Sequence, residues 1–446
     1  MNNVRWGSRL GFVLAAAGSA IGLGALWRFP YMTAEHGGGA FLLVFLLMTL
    51  FIGMPLLLAE FVIGRASQKN PIEGFHYLGG KKAYRILGWL GNIGVFLLLS
   101  FYSVIGGWIL IYLVVAFGEA FGLVQFDNYG ATFDSIIANP LYVVVAQGIF
   151  ILLTAFIVAQ GVQKGLERGS KIMMPLLFIL FLLVIIRSVT LPGAMEGITF
   201  FLTPDVSAID STAILYALGQ SFFALSVGAT TMVAYSSYLG EEHNLTQSSL
   251  SIVAMNIAIS IMAGLAIFPA IASLGVEAAE GPGLVFIVLP QVFGEIPLGM
   301  LFYILFLAAF LFATLTSSIS MIEINVANAI KGDERKRSKM AYVFGFFIFL
   351  AGIPSALSYG ILGDFLIFGR SIFDNVDFLV SNIVLPIGAL ASTLFVGYVV
   401  NKRVVMQQLN VDTSSKMYGL YKFWIIMLRF VLPVLILFVF AVSIFG

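Results

Sequence analysis

The first long apolar segment of the chain is interrupted at its centre by small residues. From Leu10 it reads LGFVLAAAGSAIGLGALWRFP, with Gly18, Gly22 and Gly24 in its middle and Arg28 and Pro30 beyond them. Glycine is a poor helix former, so this segment is expected to unwind there. Unwinding inside a bilayer frees backbone N–H and C=O groups, which are tolerated only inside protein or beside a polar cavity. A freed carbonyl can ligate a cation and a freed N–H can bind an anion. The interruption therefore reads as a binding site halfway across a membrane.

The remaining composition agrees. Of 446 residues, 60% are hydrophobic and 10% charged, against about 25% charged in a soluble domain. This is an all-α polytopic membrane protein whose surroundings are the lipid bilayer. A net charge of +1 implies no nucleic-acid partner. The absence of cysteine excludes disulfides, thiolate metal sites and a cysteine nucleophile. His36, His76 and His243 are too scattered for a zinc set. No nucleophile–base constellation or Walker loop is visible, so an enzyme is not expected. The first span is longer than a signal-peptide core.

Runs near the ~20 residues that cross a bilayer fall at about 10–32, 40–64, 86–118, 141–160, 171–190, 213–238, 247–274, 298–329, 341–358, 377–400 and 423–445, which makes eleven spans. Gly360, Gly363 and Gly369 blur the boundary before the tenth. Basic residues gather in alternate loops: Arg5 and Arg9, then Arg65, Lys69, Lys81, Lys82 and Arg85, then Lys164, Arg168 and Lys171. The set continues with Lys331, Arg335, Lys336, Arg337 and Lys339, and with Lys402, Arg403, Lys416 and Lys422. The opposite loops carry acids, among them Glu119, Asp127, Asp134, Glu196, Asp205, Asp210, Glu277, Glu280, Glu295 and Asp364. The positive-inside rule places the N-terminus in the cytoplasm of a cell's inner (plasma) membrane, and the odd count places Gly446 outside.

Span six, AILYALGQSFFALSVGATTMVAYSSY, is interrupted in the same way around Ser226, Gly228, Thr230 and Thr231. Spans one and six open two five-span halves, about 10–190 and 213–400, with an extra span at about 423–445. Breaks in matching positions of two halves are the pointer to an inverted-repeat transporter.

The stretches AAAGSAI and GLGALWRFP, EHGGGAF at Glu35–Phe41, GQSFFALSVG in span six and TLTSS in span eight resemble the neurotransmitter:sodium symporter family. The resemblance covers about the first 400 residues and is to bacterial eleven-span members. It implies an amino-acid substrate and two sodium sites. The second site would use carbonyls at Gly18, Ile21 and Ala313 and hydroxyls at Thr316 and Ser317; all five positions match. Several neutral oxygens suit a hard cation. The first site is degraded. Ala25 stands where the family has asparagine and Ala224 where it has a hydroxyl, leaving Asn256 and the Ala20 carbonyl. Chloride is not expected. Gln220 and Ser260 match the chloride site of animal members, but Phe45 and Ala224 lack the required hydroxyls.

The same resemblance assigns a substrate pocket to Ala20, Gly22, Leu23, Gly24, Leu98, Tyr102, Phe223, Ser226, Ala229, Ser317 and Met321. Gly22 stands where amine-selective members carry aspartate, so the substrate brings its own carboxylate to the N–H groups near Leu23 and Gly24 and to the Tyr102 hydroxyl. The small Ala229 leaves room for a bulky apolar side chain. Arg28 and Asp377 match the outer gate pair. Arg5 and Trp6 match the inner gate, with Asp333 or Glu334 the expected partner of Arg5, because Lys331 occupies the usual aspartate position. Gly165 and Pro175 match a motif associated with inward opening. Buried acids at Glu60 and Glu323 stand outside these sets.

The preferred reading is a symporter importing hydrophobic or aromatic amino acids with one Na⁺. A proton-coupled or sodium-independent carrier of aromatic amino acids or indole compounds is the alternative. A channel, or an amino-acid sensor without a transport cycle, is a third. Oligomeric state is not encoded in any feature of the chain.

Overall fold

The computed structural model describes residues 5–123, 128–275, 281, 283–415 and 417–445. Asp127, Glu277, Glu280, Lys416 and Gly446, which enter the topology argument, lie outside them. Among the described residues ten helices are long and apolar enough to cross a membrane: Arg9–Glu35, Gly39–Ser67, Lys82–Ala120, Pro140–Ala159, Val162–Val189, Leu245–Leu274, Gly299–Ile330, Glu334–Ala356, Ile372–Val399 and Tyr418–Ile444. Span six supplies the eleventh crossing in two pieces, Ser211–Ala224 and Thr231–Ser237. Because five is odd, span six enters the membrane from the side opposite to span one, so two five-span halves are necessarily inverted.

Two span starts lie earlier than hydropathy indicates. Span five begins at Val162 and span nine at Glu334, not near residues 171 and 341. Their first turns carry Lys164, Arg168 and Arg337, which an apolar window cannot count as helix. Lys164 and Arg168 are exposed, whereas Arg337 is buried and paired. Arg337 donates to Glu334 and Glu323, both at 2.5 Å. Glu167 accepts from Lys171 at 2.6 Å. Arg65, counted above among the loop cations, is buried at the end of span two and donates to Gln408 and to the His243 carbonyl. The segment around Gly360 and Gly363 is a run of turns joining spans nine and ten.

Both expected breaks are present. In span one, Gly22 leaves helical geometry at φ −2°, ψ −146°, and a π-helical turn follows at Gly24–Arg28. In span six the helix stops at Ala224, passes through positive φ at Ser226, Gly228 and Thr230, and restarts at Thr231. Gly228, at φ +89°, also lies against span ten, where a side chain would strike the Leu385 carbonyl.

Glu60 pins this second break. It is fully buried in span two, and its Oε1 accepts the Gly228 N–H at 2.8 Å, with Ser392 Oγ at 3.4 Å. A buried N–H stripped of its acceptor costs about 1–3 kcal/mol. Glu60→Ala is therefore expected to destabilise the protein by about that amount, while Glu60→Gln, which keeps an amide oxygen, stays close to the parent. Thermal unfolding of both variants in detergent checks this; equal losses would mean that the charge, and not the hydrogen bond, matters.

Candidate substrate and sodium site

The break in span one faces span eight, and the oxygens of both converge. Thr316 Oγ1 lies 3.0 Å from the Gly18 carbonyl and 2.9 Å from the Ala313 carbonyl. Ser317 Oγ lies 3.1 Å from the Gly18 carbonyl and 2.9 Å from that of Ser19. Thr316 and Ser317 are both 1% exposed, so no bulk solvent competes for these atoms. The donor set is neutral oxygen throughout, the chemistry that suits a small hard cation. The carbonyl of Ile21, the fifth expected ligand, accepts the Gly24 N–H within span one.

The eleven residues assigned to the substrate pocket all line one cavity, joined by Ser19, Thr231 and Leu385. Its volume is about 30 Å³, room for a water or two. A side chain at Gly22 would meet the Tyr102 hydroxyl at 2.7 Å and would strike Ser317 Oγ. The Leu23 N–H donates to the Tyr102 hydroxyl at 3.3 Å, a long bond that a carboxylate could replace. The Gly24 N–H is held by Ile21, so of the two amides singled out above only that of Leu23 bonds a pocket side chain. Ser226 donates to the Ser19 carbonyl at 2.8 Å and ties the two breaks together.

Above the cavity, Phe223 forms a lid under a vestibule of about 500 Å³. The Arg28 guanidinium sits 5.3 Å from the Phe223 ring centroid. Asp377 accepts from Ser381 at 2.7 Å. Among the described residues no direct ion pair joins Arg28 to Asp377, so the outer pair is not closed in this structure. Below the cavity, Trp6 is buried, donating from Nε1 to the Tyr235 carbonyl at 2.8 Å and from its backbone to Tyr238 at 3.2 Å.

These features coincide with what comparison with known proteins finds. The model of the sodium:neurotransmitter symporter family matches residues 3–134 and 137–446. The chain belongs to that family. It is 50% identical to an uncharacterized sodium-dependent transporter, YhdH, of Bacillus subtilis, over 98% of this chain and 97% of the relative. It is 37% identical to an uncharacterized sodium-dependent transporter of Haemophilus influenzae, over 99% and 98%. A crystal structure of MhsT in complex with L-phenylalanine superposes with a TM-score of 0.90 at 42% identity, covering 99% of this chain and 100% of that one. The fold is therefore the inverted five-plus-five bundle with spans one and six broken and one further helix.

Against that family frame, the region of Ala20, Ala25, Ala224 and Asn256 is short of oxygen. Asn256 Nδ2 donates to the Ala224 carbonyl at 2.7 Å, and its Oδ1 has no partner. Gln220 Nε2 donates to the Gly24 carbonyl at 2.7 Å, while Gln220 Oε1 and Ser260 Oγ are likewise unpaired. Ala25 and Ala224 are fully buried and offer only methyl groups.

The inner closure corrects the partner expected for Arg5. Asp333 pairs with Arg335 and Lys336, and Glu334 pairs with Arg337. Neither meets Arg5, which is exposed. The buried link is a different one: Tyr238 donates to Glu323 at 2.8 Å, and Glu323 pairs with Arg337 at 2.5 Å. Sequence analysis counts Arg337 among the loop cations and does not foresee this network. The available signal was Glu323 itself, since a carboxylate deep in span eight needs a cation. Glu167, next to Gly165, holds the start of span one. It accepts from the Gly7 N–H at 2.6 Å and from Ser8 at 2.9 Å.

Gly22→Ala is expected to weaken substrate binding more than tenfold while leaving the fold intact. The added methyl meets side-chain atoms of Tyr102 and Ser317, not backbone. Isothermal titration together with an unfolding curve separates the two effects; unchanged affinity would remove Gly22 from the pocket.

Proposed function

We propose that this protein is a secondary active symporter that imports hydrophobic or aromatic amino acids together with one sodium ion. The observation that carries the reading is the buried cluster of Gly18, Ala313, Thr316 and Ser317 oxygens, which shares Ser317 with the substrate cavity. A cation held there would tie the broken span one to span eight. An amino acid beside it would offer its carboxylate to the Leu23 N–H and the Tyr102 hydroxyl. Its side chain would lie among Leu98, Phe223, Ala229 and Met321, which offer no partner to a charge. The L-phenylalanine bound by MhsT, 42% identical, supports this substrate class. The names of the Bacillus and Haemophilus relatives support sodium use.

The cavity is too small for such a substrate as it stands, so loading requires Phe223 to swing toward the vestibule. Release requires Trp6 to leave Tyr235, and unwinding of span five near Gly165 and Pro175 would loosen the Glu167 hold on Gly7 and Ser8. A single sodium, no chloride and an N-terminus in the cytoplasm complete the reading. The methyl groups of Ala25 and Ala224 support the low stoichiometry. They also favour the proton-coupled alternative, since a degraded first site is what a sodium-independent carrier would show.

Uptake of labelled amino acids into proteoliposomes, with sodium and pH gradients imposed separately, decides between them. Accumulation is expected with the sodium gradient alone and should be electrogenic, which a sensor would not produce; dissipation without accumulation would indicate a channel. Thr316→Ala is expected to weaken sodium activation about tenfold, the order of one lost contact to a charge. Uptake indifferent to sodium at every pH would overturn the coupling.

Two substitutions test the pocket and the stoichiometry. Ala229→Phe should harm tryptophan uptake far more than leucine uptake; an unchanged ratio would take Ala229 out of the pocket. Sodium-titrated substrate binding should show a Hill coefficient near one, rising in the double variant Ala25→Asn, Ala224→Thr, which restores two ligands. A parent value near two would show that the first site works without them.

A further inference from the structure

A second cavity, of about 480 Å³, lies on the side of the N-terminus, away from the substrate pocket. Its walls are the loop helix Pro71–Gly79, the first turns of span three and the end of span eight. Three things about its lining are unusual. Arg85 and Lys331 both border it, with Glu73 as the carboxylate among the lining residues, so one positive charge is left over. Arg85 donates from Nη2 to Glu73 at 2.9 Å, but its Nε is buried and has no partner. Burial pushes the Glu73 carboxyl up, yet its bonds to Arg85 and His76 prevail and hold it below the usual carboxylate range. Glu73 thus stays ionised and neutralises only one cation. Lys331 is exposed and makes no ion pair among the described residues.

The polar floor is also incomplete. Asn328 donates to Asn92 at 2.7 Å, and both are buried. Asn325, 1% exposed, donates to the Met321 carbonyl, but its Oδ1 is an acceptor with no donor. A ligand that completes this cavity must therefore bring an anionic acceptor for Arg85 and Lys331 and a hydroxyl donor for Asn325.

The rim indicates where such a ligand comes from. Trp89 lines the cavity and is 51% exposed. With Ile86 and Ile93 it forms an exposed apolar stripe on span three, at the three- and four-residue spacing of one helix face. On a membrane helix such a stripe faces lipid, and an interfacial tryptophan marks headgroup depth. Basic pockets between spans on the cytoplasmic side are where anionic headgroups bind.

We propose that this cavity is a binding site for an anionic phospholipid whose phosphodiester carries a hydroxylated headgroup, of the phosphatidylglycerol type. The phosphate sits between Arg85 and Lys331, the headgroup hydroxyls reach Asn325, and the acyl chains run along Ile86, Trp89 and Ile93. The lipid thereby fastens the loop helix to spans three and eight.

Native mass spectrometry of the full chain, released from mild detergent, tests the assignment. The probes are phosphatidylglycerol, phosphatidylcholine, phosphatidylethanol (same charge, no headgroup hydroxyl) and soluble glycerol 3-phosphate. One phosphatidylglycerol should be retained in preference to phosphatidylcholine. Lys331→Gln and Arg85→Gln should each weaken that retention about fivefold, the contribution of one cation near the membrane surface. Asn325→Leu should erase the preference over phosphatidylethanol. Equal retention of phosphatidylglycerol and phosphatidylcholine, or parent-like retention in Lys331→Gln, would overturn the proposal. So would displacement of the lipid by glycerol 3-phosphate, which would make this a site for a soluble phosphate ester. Arg85→Gln also breaks the pair with Glu73; Lys331→Gln breaks none, so it remains decisive should the first variant not fold.

Discussion

Backbone hydrogen bonding in a water-poor interior is the constraint on which this molecule depends. Two spans are broken at mid-depth, and each break exposes amides and carbonyls that lipid cannot satisfy. Apart from the Gly24 N–H and the Ile21 carbonyl, which pair with each other within span one, those described above find their partners on other spans. Gly18 and Ser19 carbonyls meet Thr316, Ser317 and Ser226. The Gly24 carbonyl meets Gln220, the Ala224 carbonyl meets Asn256, and the Gly228 amide meets Glu60. These cross-links hold the broken spans together, and those that join Ser19, Ser226 and Ser317 lie in the candidate site itself.

That identity explains how a site can be both buried and responsive. The hydroxyls of Thr316 and Ser317 fill the carbonyls of span one with bonds that a cation could take over without unpairing any group. The Tyr102 hydroxyl does the same for the Leu23 amide. Exchange of one partner for another costs little where loss of a partner would cost about 1–3 kcal/mol. The asymmetry of the spaces around the site follows the same logic. A vestibule of about 500 Å³ lies above Phe223, while Trp6, Tyr238, Glu323 and Arg337 are bonded together beneath.

Much of the site was legible because it is written in local residue choices. Glycines at 18, 22 and 24 and at 228 mark the breaks, and paired hydroxyls at 316 and 317 mark the oxygen donors. The eleven positions assigned to the substrate pocket fall together on one cavity. Ser19 and Leu385 were missed, since nothing in their own segments distinguishes a residue at a cavity wall from one in a helix contact, and Thr231 was read as marking the break and not as lining the cavity. Arg337 was missed for a related reason. In sequence it belongs to a run of cations that reads as hydrated, and only the approach of span eight gives it the buried Glu323.

What the sequence alone determined is therefore the class of object: a polytopic helical membrane protein, its sidedness pattern, two matched breaks, and the residue types gathered at them. These are properties of composition and of short windows, where hydropathy and glycine content act directly. Only the tertiary structure decided which groups pair. Glu60 was an unexplained buried acid until Gly228 was brought to it from 168 residues away. The gate residues Arg28 and Asp377 match a pair, but in the structure Arg28 lies over Phe223 and Asp377 accepts from Ser381. Arg5 lost its expected partners to Arg335, Lys336 and Arg337, cations nearer in the chain to Asp333 and Glu334. A hydrogen bond or ion pair depends on a few ångströms, and those are fixed by the packing of distant helices, which no local window contains.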